Sequence, residues 1–205
     1  MIHSLLFDLG GVLIDLDVQR SLNAITALTD RNQRNNYITS DGLLGGHDSH
    51  LINLYQTGDI STDDFLQTIL RSCRQGVTKE QVIEAWFAML LGMQERKIQL
   101  LHELKQKGYN IYILSNINEL HVDWTMQHCP VLRQMDGLFF SNEIHLAKPD
   151  PRCYDYVLQH TDILPQETLY IDDLLPNINA GKQAGLQTCH VQNDEWVDEM
   201  RRTLL

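Results

Sequence analysis

Asp8 closes an apolar run that opens at Ile2, and a pair of glycines, Gly10 and Gly11, begins two residues later. A run of this kind reads as a buried, parallel strand. The glycines permit a tight turn and let a ligand approach the backbone closely. Asp8 is thereby placed at the carboxyl end of a strand, the edge where open α/β sheets hold their chemistry. Three further stretches have residues of complementary type. Ser115-Asn116 follows the apolar Ile111–Leu114, Asp172-Asp173 follows Thr168–Ile171, and Lys148 stands in Ala147-Lys148-Pro149-Asp150-Pro151. Singly, each has an ordinary explanation: a turn, a helix cap or a solvated lysine. Together they suggest more. Three carboxylates on one edge repel each other unless a cation sits among them, and hard oxygen ligands select Mg2+. Ser115 and Asn116 can donate hydrogen bonds to an anion, and Lys148 supplies a fixed positive charge. A carboxylate nucleophile, Mg2+, a hydroxyl and a cation are the parts of phosphoryl transfer through an aspartyl-phosphate.

The elements that must position these residues follow from periodicity. From about Asp17 to Met93 the pattern is helical throughout, without a strand. Ser61 to Asp64 reads as an N-cap ahead of Phe65, Leu66, Ile69 and Leu70, and Thr78 to Gln81 as a capping box. Gly42, Gly45 and Gly46 punctuate a loop between earlier helices. Beyond this block the chain alternates. Strands are predicted at 111–114, 138–140, 168–171 and 187–191. Helices are predicted around Ile98–Leu104, around His121 and Trp124, from Pro149 to Thr161, from about Asn177 to Gly185, and in the tail. Alternation of this kind implies a doubly wound parallel sheet with right-handed crossovers. On it Asp8, Ser115, Ser141 and Asp172-Asp173 all reach one edge. The expected organisation is an α/β core of residues 1–16 and 94–205, with an all-helical cap of residues 17–93 inserted after the first strand.

Composition narrows the partners. Over 205 residues, 16 basic and 27 acidic side chains give a net charge of −11, which argues against nucleic acid or an anionic membrane surface. Cys73, Cys129, Cys153 and Cys189 form no CxxC pair and suit a reducing, cytoplasmic setting. The first residues lack the basic region of a signal peptide, and no apolar run is long enough to span a bilayer. A monomer or weak homodimer acting on a small phosphorylated substrate is the expectation.

The order Asp8-Leu9-Gly10-Gly11-Val12, Leu114-Ser115-Asn116, Lys148-Pro149 and Tyr170-Ile171-Asp172-Asp173 resembles the four motifs of the haloacid dehalogenase-like hydrolase superfamily. The resemblance covers the whole chain, the helical insert matching the superfamily's cap. Asn118, His121 and Trp124 make it most similar to small sugar-phosphate phosphatases of the glucose-1-phosphate type. The resemblance implies that Asp8 attacks phosphorus, and that Mg2+ is held by Asp8, the Gly10 carbonyl and Asp173. Asp172 is then a further ligand or a partner behind the metal, Ser115 binds a phosphoryl oxygen, and Lys148 offsets charge. Two readings stand for Asn177, orienting the metal's water or starting a helix. Two also stand for His121, facing the site or packing.

One departure is evident. Many phosphatases of the superfamily place a second Asp, the general acid and base, where this chain has Gly10. Asp15, Asp17 and His121 are the candidate substitutes. Three rival readings follow. A dehalogenase would use Asp8 on carbon and need no Mg2+ site. A receiver domain would be far shorter and lack the insert. A non-catalytic binding protein on the same scaffold is suggested only by Gly10.

Overall fold

The structure is a computed structural model and describes residues 1–30 and 50–205. Five strands, β1 (Ser4–Phe7), β4 (Asn110–Ser115), β5 (Gly137–Phe140), β6 (Thr168–Asp172) and β7 (Gln187–His190), form a parallel sheet in the order β5-β4-β1-β6-β7. Phe7 is level with Ile113 on one side and Ile171 on the other. The residues just beyond those positions therefore emerge along one edge. The strand order reverses on either side of β1, so Asp8 lies at the topological switch point, where such sheets bind ligands.

All four β1 residues are buried, which is why Leu5, Leu6 and Phe7 are consecutive apolar residues where a half-exposed strand would alternate. Leu5 and Phe7 join a cluster with Leu100, Leu104, Val197 and Met200. Leu6 faces the opposite layer with Tyr154, Val157, Tyr170 and Ile178. The first layer is covered by α5 (Glu95–Gln106) and α10 (Trp196–Leu204), the second by α8 (Pro151–Gln159) and α9 (Leu175–Gln183). The core is a doubly wound α/β fold.

A third apolar cluster contains no residue of this sheet. It joins Ile25, Ile52, Phe65, Ile69, Val82 and Trp86 from α1 (Val18–Leu28), α2 (His50–Gln56), α3 (Thr62–Leu70) and α4 (Lys79–Phe87). Local signals held here. Ser61 Oγ accepts the Asp64 N–H, and Thr78 with Gln81 makes both bonds of a capping box.

The strandless reading of residues 17–93 is corrected. β2 (Asp15–Leu16) and β3 (Leu90–Gly92) pair antiparallel, tying the two ends of the helical block together. Strands of two and three residues are too short for a period of two to register. The helix expected from Pro149 starts instead at Pro151, with Asp150 as its cap, because proline suits the first helical position and disfavours helix in the residue before it. The helix expected from Asn177 opens two residues earlier, at Leu175. The loop at Gly42, Gly45 and Gly46 lies outside the described residues. Between β4 and β5 runs α6 (Glu119–His128), and α7 (Ser141–Ile144) follows β5. Among the described residues no helix is long and apolar enough to cross a membrane.

Candidate active site

Asp8 follows β1 directly and is 6% exposed. Its Oδ1 accepts the Leu9 N–H at 2.7 Å and lies 2.9 Å from Lys148 Nζ. Its Oδ2 has no partner among the described residues, so one oxygen is anchored and the other left for chemistry. Burial pushes this carboxyl up to about 6, against the opposing charge of Lys148.

Lys148 bridges two acids. Its Nζ also lies 2.8 Å from Asp172 Oδ2, and its side chain is 1% exposed. Burial alone would lower this ammonium's pKa, but the charges of Asp8 and Asp172 raise it, so it stays protonated. Asn116 aims the lysine through its backbone: Nδ2 donates to the Lys148 carbonyl and Oδ1 accepts the Lys148 N–H, both at 2.8 Å. The expectation for Asn116 changes accordingly. Its amide clamps the lysine loop, where an anion-binding role was expected.

Asp172 is fully buried and bonded on both oxygens. Oδ2 accepts Tyr170 Oη–H at 2.5 Å besides Lys148, and Oδ1 accepts the Leu174 N–H at 2.8 Å and Asn177 Nδ2 at 3.1 Å. Burial pushes it up, but the Lys148 charge and these donors together hold it below the usual carboxylate range. Asn177 sits in the first turn of α9 and its Nδ2 donates to Asp172. Tyr170 belongs to the fourth motif, but its bond to Asp172 is not foreseen there. Residues 170 and 172 share one face of a strand, and that spacing was the available signal.

Asp173 differs from its neighbour. Its Oδ1 is buried without a partner among the described residues, and burial, then the charge of Asp172, raises its pKa. Gly11 explains itself here: its φ is +79°, and a Cβ on it would come within 2.5 Å of Asp173 Oδ2. Carboxylate oxygens of Asp8, Asp172 and Asp173 all lie within 4.8 Å of one another. Two of these acids are pushed toward protonation, and one buried oxygen goes unmatched. A hard divalent cation answers both conditions, so the donor set fits Mg2+.

Beside this cluster a cavity of about 180 Å³ runs from Gly10, Ser115 and Asn116 to Gln56, Trp86 and His121. Ser115 lines this cavity, and its hydroxyl is unengaged among the described residues. His121 is 7% exposed, stacks on Trp86, and lies 3.3 Å through Nε2 from the Trp86 carbonyl. A carbonyl only accepts, so Nε2 carries the proton and Nδ1 is the acceptor. His121 thus both packs and faces the site. Ser141, on the same edge, instead joins the layers: its Oγ donates to the Gln56 carbonyl at 2.6 Å and accepts the Ile117 N–H at 2.9 Å.

The substitutes for the missing acid are otherwise engaged. Asp15 is bonded to Lys97 Nζ at 2.6 Å and Gln94 Nε2 at 2.7 Å, while Asp17 caps α1 and pairs with Arg20. Burial lowers His121 to about 4, so it is neutral near pH 7 and a poor proton donor. That shift has a measurable consequence. A histidine protonated more readily when unfolded stabilises the fold above pH 6.5, and its contribution is lost as pH falls toward about 4. The gap corresponds to roughly 3 kcal/mol. Chemical denaturation at pH 7 and pH 4.5 should therefore show a smaller acid-induced loss for H121Q than for wild type; equal losses would refute the buried neutral imidazole.

Residues 2–185 match the haloacid dehalogenase-like hydrolase family. The chain belongs to that family. A D-ribitol-5-phosphate phosphatase of Bacteroides thetaiotaomicron is 28% identical, over 98% of this chain and 97% of that protein. An (S)-2-haloacid dehalogenase of Burkholderia cepacia is 21% identical, over 93% of this chain and 83% of that one. A family enzyme of B. thetaiotaomicron, solved with magnesium and inorganic phosphate, superposes with a TM-score of 0.82 at 28% identity, covering 95% of this chain and 96% of that one. The family's hydrolases act on carbon–halogen and phosphate-ester bonds alike among these relatives, so the choice of chemistry rests on the site.

Proposed function

We propose that this hydrolase is a Mg2+-dependent phosphatase of a small phosphorylated metabolite, with sugar and polyol phosphates the first class to test. The observation that carries the reading is the unmatched Asp173 oxygen beside Asp8, which a dehalogenase acting on carbon would not require. The ribitol-phosphate phosphatase relative and the magnesium–phosphate complex support it.

Mg2+ would be held by Asp8, the Gly10 carbonyl and Asp173, and supplies positive charge to the phosphoryl oxygens. Asp8 Oδ2 attacks phosphorus while the ester oxygen leaves, forming an aspartyl-phosphate that water then hydrolyses. Ser115 donates to a phosphoryl oxygen. Lys148 offsets the charge of nucleophile and phosphate, held in place by Asp172 and Asn116. The helices α1 to α4 act as the cap over the leaving group and exclude water. Because Gly10 has no side chain and its substitutes are engaged, esters with weakly basic leaving oxygens should react faster than alkyl esters.

The test is phosphate release from p-nitrophenyl phosphate and a panel of sugar and polyol phosphates, with Mg2+ or with EDTA. Activity should require the metal. Full turnover in EDTA, with chloride released from 2-chloropropionate, would replace this reading with the dehalogenase. Mg2+ should also stabilise the fold by about 2.7 kcal/mol at a hundredfold excess over Kd, equivalent to roughly 5–10 °C in Tm. Asp173→Ala should abolish that shift.

A further inference from the structure

The two acids that follow one another at the end of β6 are held in different ways. Donors fix Asp172 on both oxygens, whereas no donor reaches Asp173 Oδ1 among the described residues. A carboxylate without such a bond is free to turn. Asp172 offers an oxygen within 4.8 Å of it, and like charges at that separation repel. There is also room to turn. A polar cavity of about 440 Å³ opens beside Gly11 and Asp173 and continues along Gln192, Asn193 and Asp194. No residue of α1 to α4 lines it.

Asp173 is therefore aimed by its main chain, and two bonds from the end of β7 hold that chain. The Val191 N–H donates to the Asp172 carbonyl at 2.9 Å. The next carbonyl, that of Asp173, lies past the last residue of β6 and is met by a side chain, with His190 Nε2 3.0 Å away. A carbonyl only accepts, so Nε2 carries the proton and donates. This bond fixes the peptide plane that follows the Asp173 Cα, and with it the direction in which the side chain leaves. His190 lines the same polar cavity and lies on the edge strand of the sheet. From this geometry we infer that His190 is a positioning residue for the metal site: by holding the Asp173 carbonyl, it keeps the Asp173 carboxylate turned toward Asp8 and out of the cavity. Gly11 completes the arrangement from the other side, since a Cβ there would press on Asp173 Oδ2. The inference rests on the Mg2+-dependent reading above and adds the residue that prepares the site for the ion.

The test is Mg2+ affinity, read as the Mg2+ concentration that gives half of the Mg2+-induced rise in Tm. His190→Ala should raise that concentration by about 10- to 100-fold, the range for groups that orient a metal's ligands. H190Q, whose amide nitrogen can stand where Nε2 does, should return it to within about threefold of wild type. H190N keeps an amide but is one carbon shorter; it should behave like H190A and takes its place if H190A does not fold. The control is Gln187→Ala, which removes a bond of the same kind at the opposite end of β7, from Gln187 Nε2 to the Gln166 carbonyl at 2.8 Å. Q187A should leave the Mg2+ requirement within about twofold, since distant sites act independently. Turnover of phenyl phosphate supplies a second readout: H190A should need correspondingly more Mg2+ for half its maximal rate. Unchanged Mg2+ affinity in H190A and H190N would overturn the inference. So would an equal loss in Q187A, or no rescue by H190Q, either of which would make the bond a general support of the strand. A wild type whose Tm and turnover ignore Mg2+ would instead overturn the phosphatase reading, and this inference with it.

Discussion

Asp8→Asn should lose phosphatase turnover by a factor on the order of 10⁴–10⁶ while the protein stays folded. The size follows from the role. A nucleophile that forms a covalent intermediate cannot be replaced by a neutral amide, and losing such a group typically removes most of the chemical acceleration. The fold should survive because the amide oxygen can still accept from Leu9 N–H and Lys148 Nζ, the two bonds that anchor Asp8 Oδ1. Removing a carboxylate that burial already pushes up to about 6 also relieves repulsion with Asp172. The measurement is single-turnover phosphate release with Mg2+, alongside Tm. Wild-type protein quenched in acid should carry acid-stable, base-labile phosphate, and the variant should carry none. Turnover within tenfold of wild type would refute a covalent Asp8 and leave a metal-activated water as the attacking group.

The nucleophile was readable because its position obeys two rules at once. An apolar run must end where the sheet ends, and the glycines after it mark a close approach. Phe7, buried between Ile113 and Ile171, shows that the same run also sets the strand's central place. The helical block was legible for a similar reason, since capping and a 3.6 period are local. What escaped depends on long-range pairing. The Asp15–Leu16 ribbon is defined by a partner strand some 75 residues away, and nothing in two residues announces it. Asn116 looked like an anion donor because its type suits that role. Only the fold reveals that the lysine loop passes within reach of both ends of its amide.

Lys148→Met should be the most destabilising single change at the site. Lys148 is the cation shared by two buried acids, and breaking a buried pair by removing one partner typically costs ~3–5 kcal/mol. For a chain of this size that is roughly 6–20 °C in Tm. The loss should depend on pH in a defined direction. Without the ammonium, Asp8 is raised further and Asp172 loses the charge that holds it down, so the variant's folded form takes up protons more readily than the wild type's does. Its deficit should therefore be smaller near pH 5 and larger near pH 8. Activity should fall as well, by roughly 10²–10³-fold, the range for losing one preorganised group that stabilises developing charge. A second substitution separates the two effects. After Asp172→Asn the remaining oxygen can still accept from Leu174 N–H and Asn177 Nδ2, and the new amide can donate to a Tyr170 hydroxyl turned to accept, so the substitution removes the unpaired charge at little structural cost. Lys148→Met with Asp172→Asn should recover much of the lost Tm and none of the activity. If it recovers both, Lys148 serves the fold alone, and the charge on the phosphate is balanced elsewhere. If it recovers neither, the hydrocarbon stem of Lys148 is what the core requires.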